Sequence, residues 1–266
     1  MNLFSGVTEE MIDRLTDLCM FEGALTSLDI PMPDYVVQLS KRLNQATCHK
    51  ALGPLLPELE RLLSSANTLT MADLKKPRVT IGDSHSSAFS PKDSAVLRTN
   101  GQTLYGALKE GKIQQQLNAL GYLPERVTLV YGSIDIRHHI GRQAQPIKAV
   151  QDLTKAYAEL VKGIQCEFLC EVEVAAPVPV EFEGRRIPKT GFYKNEPFVG
   201  SQQERSYWTL LFIEQLRDVH KLDVAHPPLA WYHMDPEDYA STYMELSSSV
   251  HISPMHYRRY SDWSQQ

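Results

Sequence analysis

From residue 75 onward, short apolar runs alternate with longer stretches whose apolar residues recur every three or four positions. That alternation predicts strands and helices in turn, and hence a mostly parallel sheet covered by helices on both faces. Arg78-Val79-Thr80-Ile81 runs into Gly82-Asp83 as a first strand, and Ala95-Val96-Leu97-Arg98 reads as a second. A helix is expected from about Leu104 to Leu120. Val127-Thr128-Leu129-Val130-Tyr131, bounded by Pro124 and Gly132, is the clearest buried strand. The next helix spans about Ile147 to Val161, with Ala149, Leu153, Ala156 and Leu160 in register, and Cys166 to Ala175 forms another strand that stops at Pro177 and Pro179. Ser201-Gln202-Gln203-Glu204 has the spacing of a capping box and opens a helix through about His220. Pro236-Glu237-Asp238 starts a short helix, and Ser249 to Pro254 turns into a last helical stretch.

Residues 1-74 differ in character. Thr8-Glu9-Glu10-Met11 supplies a cap and first-turn acids, after which Met11, Ile12, Leu15, Leu18 and Cys19 recur at helical spacing. Tyr35, Val36, Leu39 and Leu43 mark a second amphipathic helix, and Leu59, Leu62 and Leu63 a third. The expected organisation is an N-terminal helical region over 1-74, read as a packing, partner-binding or self-association appendage, followed by one α/β domain over 75-266. The connection from Glu181 to Gly200, rich in charge, Gly and Pro, is long for a compact domain, and loops of that length are commonly functional.

Composition narrows the classes. The chain has 266 residues, 42% of them hydrophobic, enough for a sizeable core. Its formal net charge is -5, so it lacks the overall positive field that would make nucleic acid an obligatory partner; Arg258-Arg259 is a local basic patch at most. No secretory signal is apparent at the N-terminus and no apolar run approaches the roughly 20 residues of a membrane span, so a cytoplasmic protein without a membrane partner is expected. The 4 cysteines, at 19, 48, 166 and 170, read as free structural thiols; Cys166 and Cys170 fall on one face of the expected strand without zinc-like spacing. No cofactor or metal is called for.

Three polar turns fall at strand ends or near the last helix, where ligands gather in open α/β sheets. They are Gly82-Asp83-Ser84-His85-Ser86, Gly132-Ser133-Ile134-Asp135-Ile136-Arg137-His138-His139, and Ser248-Ser249-Val250-His251. A serine placed directly after a strand and at the start of a helix can attack a carbonyl while its own N–H faces the oxyanion that forms. Serine also caps helices well, so Ser84 by itself fits either role.

Val79-Thr80-Ile81-Gly82-Asp83-Ser84-His85 resembles the first block of the SGNH, or GDSL-type, hydrolase superfamily. The resemblance extends by order of elements over about 75-260 and implies a three-layer, flavodoxin-like parallel sheet. It further implies that Ser84 is the nucleophile. The second block's oxyanion glycine corresponds to Gly106 in Asn100-Gly101-Gln102-Thr103-Leu104-Tyr105-Gly106, with Gly101 the alternative. The third block normally supplies an asparagine amide; here Ile134 stands in its place. Gly132-Ser133-Ile134-Asp135-Ile136-Arg137-His138-His139-Ile140 is similar instead to a stretch from a branch found in phages and polysaccharide-related bacterial loci. In that branch Asp135 and Arg137 are expected to pair and order the site, with His138 or Arg137 replacing the missing donor. The last block implies His251 as general base. Serine, Ser248, occupies the position of its usual orienting acid, which leaves a backbone carbonyl, Ser248, Asp235, Asp238 or Glu245 to orient the ring.

Two other readings compete. Asp83-x-His85 at a strand end, with Asp135, His138, His139, His251 and His256, suggests a metal-dependent phosphoesterase, although the Gly-Asp-x-x-Asp, Gly-Asn-His and Gly-His-x-His spacings of that class are absent. The altered third and last blocks suggest a non-catalytic module that binds a glycan or protein in the same cleft. The expected function is a serine esterase or acyl-transfer enzyme acting on an O-ester, with a carbohydrate ester first in line. Arg185, Arg186, Lys189 and Lys194 of the 181-200 loop are candidate contacts to an anionic or sugar-bearing substrate.

Overall fold

The computed structural model describes residues 76-91, 94-99, 101-180, 198-244, 250-253, 256-258 and 263. The helices expected over 1-74, the loop residues Arg185, Arg186, Lys189 and Lys194, and Glu245, Ser248 and Arg259 lie outside them.

Five parallel strands form one sheet in the order β2-β1-β3-β4-β5, the order of a flavodoxin-like doubly wound fold. They are β1 (Arg78–Gly82), β2 (Ser94–Arg98), β3 (Arg126–Val130), β4 (Glu171–Ala175) and β5 (Asp223–Ala225). β1 pairs with β3 in the register Val79↔Val127 and Ile81↔Leu129, and β3 with β4 in the register Val127↔Val172 and Leu129↔Val174. These six side chains therefore line one face of the sheet in two rows, because alternate residues of a strand point the same way. Helices α2 (Leu104–Glu110), α3 (Lys112–Ala119), α4 (Pro146–Phe168) and α5 (Gln202–Glu214) cover that face. A second apolar cluster joins the short α1 (Ser86–Phe89), α6 (Pro236–Tyr243) and the last segment through Phe89, Trp231, Tyr239, Ile252, Tyr257 and Trp263.

Across β2, β1, β3 and β4 the other face carries polar pairs: Thr80 Oγ1 lies 2.8 Å from Ser94 Oγ, and Thr128 Oγ1 donates to Glu173 Oε2 at 3.0 Å. Arg258 grips the same buried Glu173 through both guanidinium nitrogens and thereby ties the chain beyond His251 to β4. Arg258 is thus committed to an ion pair rather than to a basic surface patch. Burial alone would raise the Glu173 carboxyl, but Arg258, Arg126 and Thr128 outweigh it and hold the group below its ordinary range.

Several boundaries differ from the expected ones. The helix expected over 104-120 is two helices, broken at Gly111, whose φ of 61° no continuing helix accepts. The helix after β3 is longer and extends to Phe168, so Cys166 is an exposed helical residue while Cys170 is buried just before β4; the pair does not share a strand face. β5, only three residues long, had no counterpart among the expected strands. The capping box is present, with Ser201 and Glu204 each accepting the other's backbone N–H, and the helix it opens ends in a π turn over Gln215–Val219. No helix among the described residues is long and apolar enough to cross a membrane.

Candidate active site

The chain leaves β1 for β2 on one side of the sheet and returns to β3 on the other, so the crevice beyond β1 and β3 is the topological switch point. Gly82 closes β1 against β3 so tightly that a Cβ there would collide with the carbonyl oxygen of Val130, and Asp83 N–H donates to that same oxygen at 3.0 Å. The turn that follows is held by Asp83. Its Oδ1 accepts the His85 N–H at 2.8 Å, its backbone oxygen accepts the Ser86 N–H at 3.2 Å, and Ser86 Oγ donates to that oxygen at 2.6 Å. Of the amides from 83 to 86, that of Asp83 is committed to β3 and those of His85 and Ser86 inside the turn, and the remaining one belongs to Ser84.

His251 reaches this turn from the far end of the chain. Its Nε2 lies 2.8 Å from Ser84 Oγ, across 167 positions of sequence, and both residues are partly accessible. The segment carrying it is anchored where Ser253 N–H donates to the Tyr243 carbonyl at 2.7 Å and where Met244 and Ile252 form an antiparallel bridge. A serine hydroxyl within hydrogen-bond reach of an imidazole is the arrangement that lets the hydroxyl attack as its proton departs.

Asp83 and His85 are the buried members of this turn on either side of Ser84. His85 Nδ1 lies 2.9 Å from Asp83 Oδ1, and both side chains are 1% exposed. Burial alone would push the Asp83 carboxyl up; the His85 ring and N–H, with the charge of Arg137, outweigh that and hold it below the ordinary carboxylate range. Asp83 therefore stays ionised.

The expected oxyanion and site-ordering residues differ from expectation in three respects. Asp135 does not direct its carboxylate to Arg137. Its Oδ2 accepts the Leu104 N–H at 2.7 Å and its Oδ1 the Tyr105 N–H at 3.1 Å, so it caps the start of α2, whose first amides have no partner within the helix. Burial pushes this carboxyl up to about 6, with the Asp83 charge adding to the rise and the Tyr105 and Leu104 amides opposing it. Second, Gly106 is occupied: its N–H donates to Thr103 Oγ1 at 2.9 Å as part of the same cap, which removes it as an oxyanion donor. Gly101, in the exposed turn after β2, is the remaining glycine of that block. Third, Asp135–His139 forms a π turn. Within it the consecutive side chains of Arg137 and His138 are both buried, and such turns gather at functional sites. Arg137 Nη2 comes within 3.5 Å of His85 Nε2, and the His138 ring packs 5.1 Å from Phe198. His139 is half-buried, with its ring held below the ordinary range by burial and by Arg142.

Of the acids considered as partners for His251, Asp235 is exposed and accepts the Glu237 and Asp238 N–H groups as the N-cap of α6, and Asp238 is exposed on the first turn of that helix. Both are accounted for by the helix. Among the described residues, no group of three or more His, Cys, Asp or Glu side chains is placed to hold a metal ion. The carbonyl of Val250, which accepts from His85 Nε2 at 2.9 Å, was not among the groups singled out in the sequence. Only the adjacency of Val250 to His251 hinted at it.

No protein-family model matches the chain, and no curated protein is a significant match. Among solved structures, a proposed SGNH hydrolase from Slackia heliotrinireducens is similar over 68% of this chain and 92% of its own, at 15% identity and a TM-score of 0.46. The acetyl xylan esterase AlAXEase is similar over 56% of this chain and 76% of its own, at 15% identity and a TM-score of 0.36. A Streptococcus pneumonia structure assigned as a platelet activating factor is similar over 84% and 82%, at 13% identity and a TM-score of 0.38. These are distant likenesses of chain arrangement.

Proposed function

We propose that the protein is a serine esterase or acyl-transfer enzyme. The observation that carries the reading is the 2.8 Å contact between Ser84 Oγ and His251 Nε2 at the carboxyl edge of the sheet. In this reading Ser84 Oγ bonds to the acyl carbon of an ester while its proton passes to His251 Nε2. The C=O electrons move onto oxygen, and the Ser84 N–H, uncommitted within its own turn, takes the negative charge. Collapse restores the carbonyl and expels the alcohol oxygen, which leaves with the proton from His251. Water, or the hydroxyl of an acceptor, then attacks the acyl-serine by the same route and frees Ser84. Arg137 and His138, both buried within the π turn, are the candidates to supplement the oxyanion donor now that Gly106 is occupied.

The substrate class we favour is a carbohydrate O-ester, on the ground that the 132-140 stretch resembles the polysaccharide-associated branch. A cytoplasmic location and a partner-binding role for 1-74 are part of the same proposal. Hydrolysis of p-nitrophenyl acetate and of acetylated oligosaccharides tests it. Ser84→Ala and His251→Ala should each lower kcat by roughly three orders of magnitude or more, and the double variant by little beyond that, because the two groups act as a unit. Independent, additive losses, or undiminished turnover in Ser84→Ala, would contradict the assignment. The replacement of the third-block asparagine by Ile134 favours one second reading, a binding module with the same cleft. Saturable binding of acetylated oligosaccharide without turnover would select it.

A further inference from the structure

His85 touches the catalytic segment at a point next to the base. Its Nε2 lies 2.9 Å from the Val250 carbonyl oxygen, 165 positions away, while Ser84 Oγ meets His251 Nε2. Two consecutive residues of the nucleophile turn therefore grip two consecutive residues of the distant segment. Nδ1 of the same ring lies 2.9 Å from Asp83 Oδ1, and the rings of His85 and His251 are 5.2 Å apart between centroids. Arg137 Nη2 also faces His85 Nε2, but at 3.5 Å, and the shorter contact decides that Nε2 carries a hydrogen and donates to Val250. The ring thus bridges the Asp83 carboxylate at one end and the Val250 carbonyl at the other.

We propose that His85, held by Asp83, is the positioning residue of this site: it fixes the peptide of Val250 and so sets where the His251 ring stands relative to Ser84. The proposal rests on the reading of Ser84 and His251 as nucleophile and base. The physical need is strict, since proton transfer requires hydrogen-bond reach and a misplacement of about 1 Å can cost on the order of a hundredfold in rate. The bond is part-buried, with the His85 ring itself in the interior, and it clamps the catalytic segment from the nucleophile's side while Tyr243 and Met244 clamp it from the other.

Paired substitutions separate positioning from bulk. In His85→Gln the side-chain amide nitrogen reaches about as far as Nε2 and can still donate to Val250; in His85→Asn it reaches only about as far as Nδ1. With p-nitrophenyl acetate, His85→Asn should lose at least about tenfold in kcat with KM within about twofold, and His85→Gln should recover most of that loss. Wild-type kcat in His85→Asn, or equal losses in the two variants, would overturn the positioning role while leaving Ser84 and His251 intact. If His85→Asn does not fold, Asp83→Asn carries the test: a fall in kcat at constant KM is expected, and an unchanged kcat overturns the proposal. A wild-type protein that neither turns over esters nor reacts at Ser84 overturns the reading of the site itself, and this inference with it.

Discussion

At the scale of single residues, the carboxylates beneath the cleft separate by environment. Asp83, beside His85 and within the field of Arg137, is held ionised, whereas the equally buried Asp135 has only backbone amides and is pushed up to about 6. A carboxyl whose folded value lies above its unfolded value favours the folded state only while protonated. That contribution is complete below the ordinary value near 3.8 and is lost as pH rises through about 6, a swing on the order of 3 kcal/mol. Asp135→Asn cannot titrate. Urea denaturation from pH 4 to pH 7 should therefore show wild-type stability falling relative to the variant across this window, with the difference flat above it. Parallel curves would mean that Asp135 is not perturbed. The variant will also lose part of the cap on α2 at the pH where Asp135 is ionised, because an amide does not offer an oxygen to each of Leu104 and Tyr105 as a carboxylate does.

Elements were legible in the sequence wherever a local pattern was long enough to be unambiguous. The apolar runs 78-83 and 127-131 matched β1 (78-82) and β3 (126-130) to within one residue at each end, because both strands are buried and carry β-branched side chains. The Ser201/Glu204 spacing gave the start of α5. Ser201→Ala should remove the half of that capping box in which Ser201 Oγ accepts the Glu204 N–H, while the residue-201 N–H still donates to Glu204, and cost about 1 kcal/mol in thermal or urea unfolding, since the cap is exposed and its loss leaves that N–H to water. A cost near zero would show that packing alone sets the start of the helix. Cys166 to Phe168 were misjudged because their apolar and polar alternation fits a strand as well as the last turn of a helix; the break comes at Leu169, where φ is 50°. Asp223-Val224-Ala225 was too short to give any period at all. The π turn over Asp135–His139 had no sequence signature beyond the run of polar residues itself, and the use of Asp135 as a cap on α2 depends on where that helix starts in space.

For the whole molecule, the site depends on convergence. Motifs recognisable one at a time, around Ser84 and around His251, meet only because the strand order puts the end of β1 at the switch point and because Arg258, Ile252 and Ser253 anchor the last segment against the sheet and α6. Residue types and spacing indicated which side chains were candidates. They could not reveal that Gly106 was occupied, that Asp235 capped a helix, or that His85 would reach the Val250 carbonyl, since each depends on a partner's place in space rather than on local sequence. The claim on which the rest stands is that Ser84 is activated by His251. Its most direct test is reaction of the full-length protein with a fluorophosphonate probe, followed by mass mapping of the modified peptide. One adduct per chain, located on Ser84 and formed at least about a hundredfold more slowly in His251→Ala, is the result the geometry predicts. An unmodified Ser84, or labelling at the same rate without the imidazole, would contradict it.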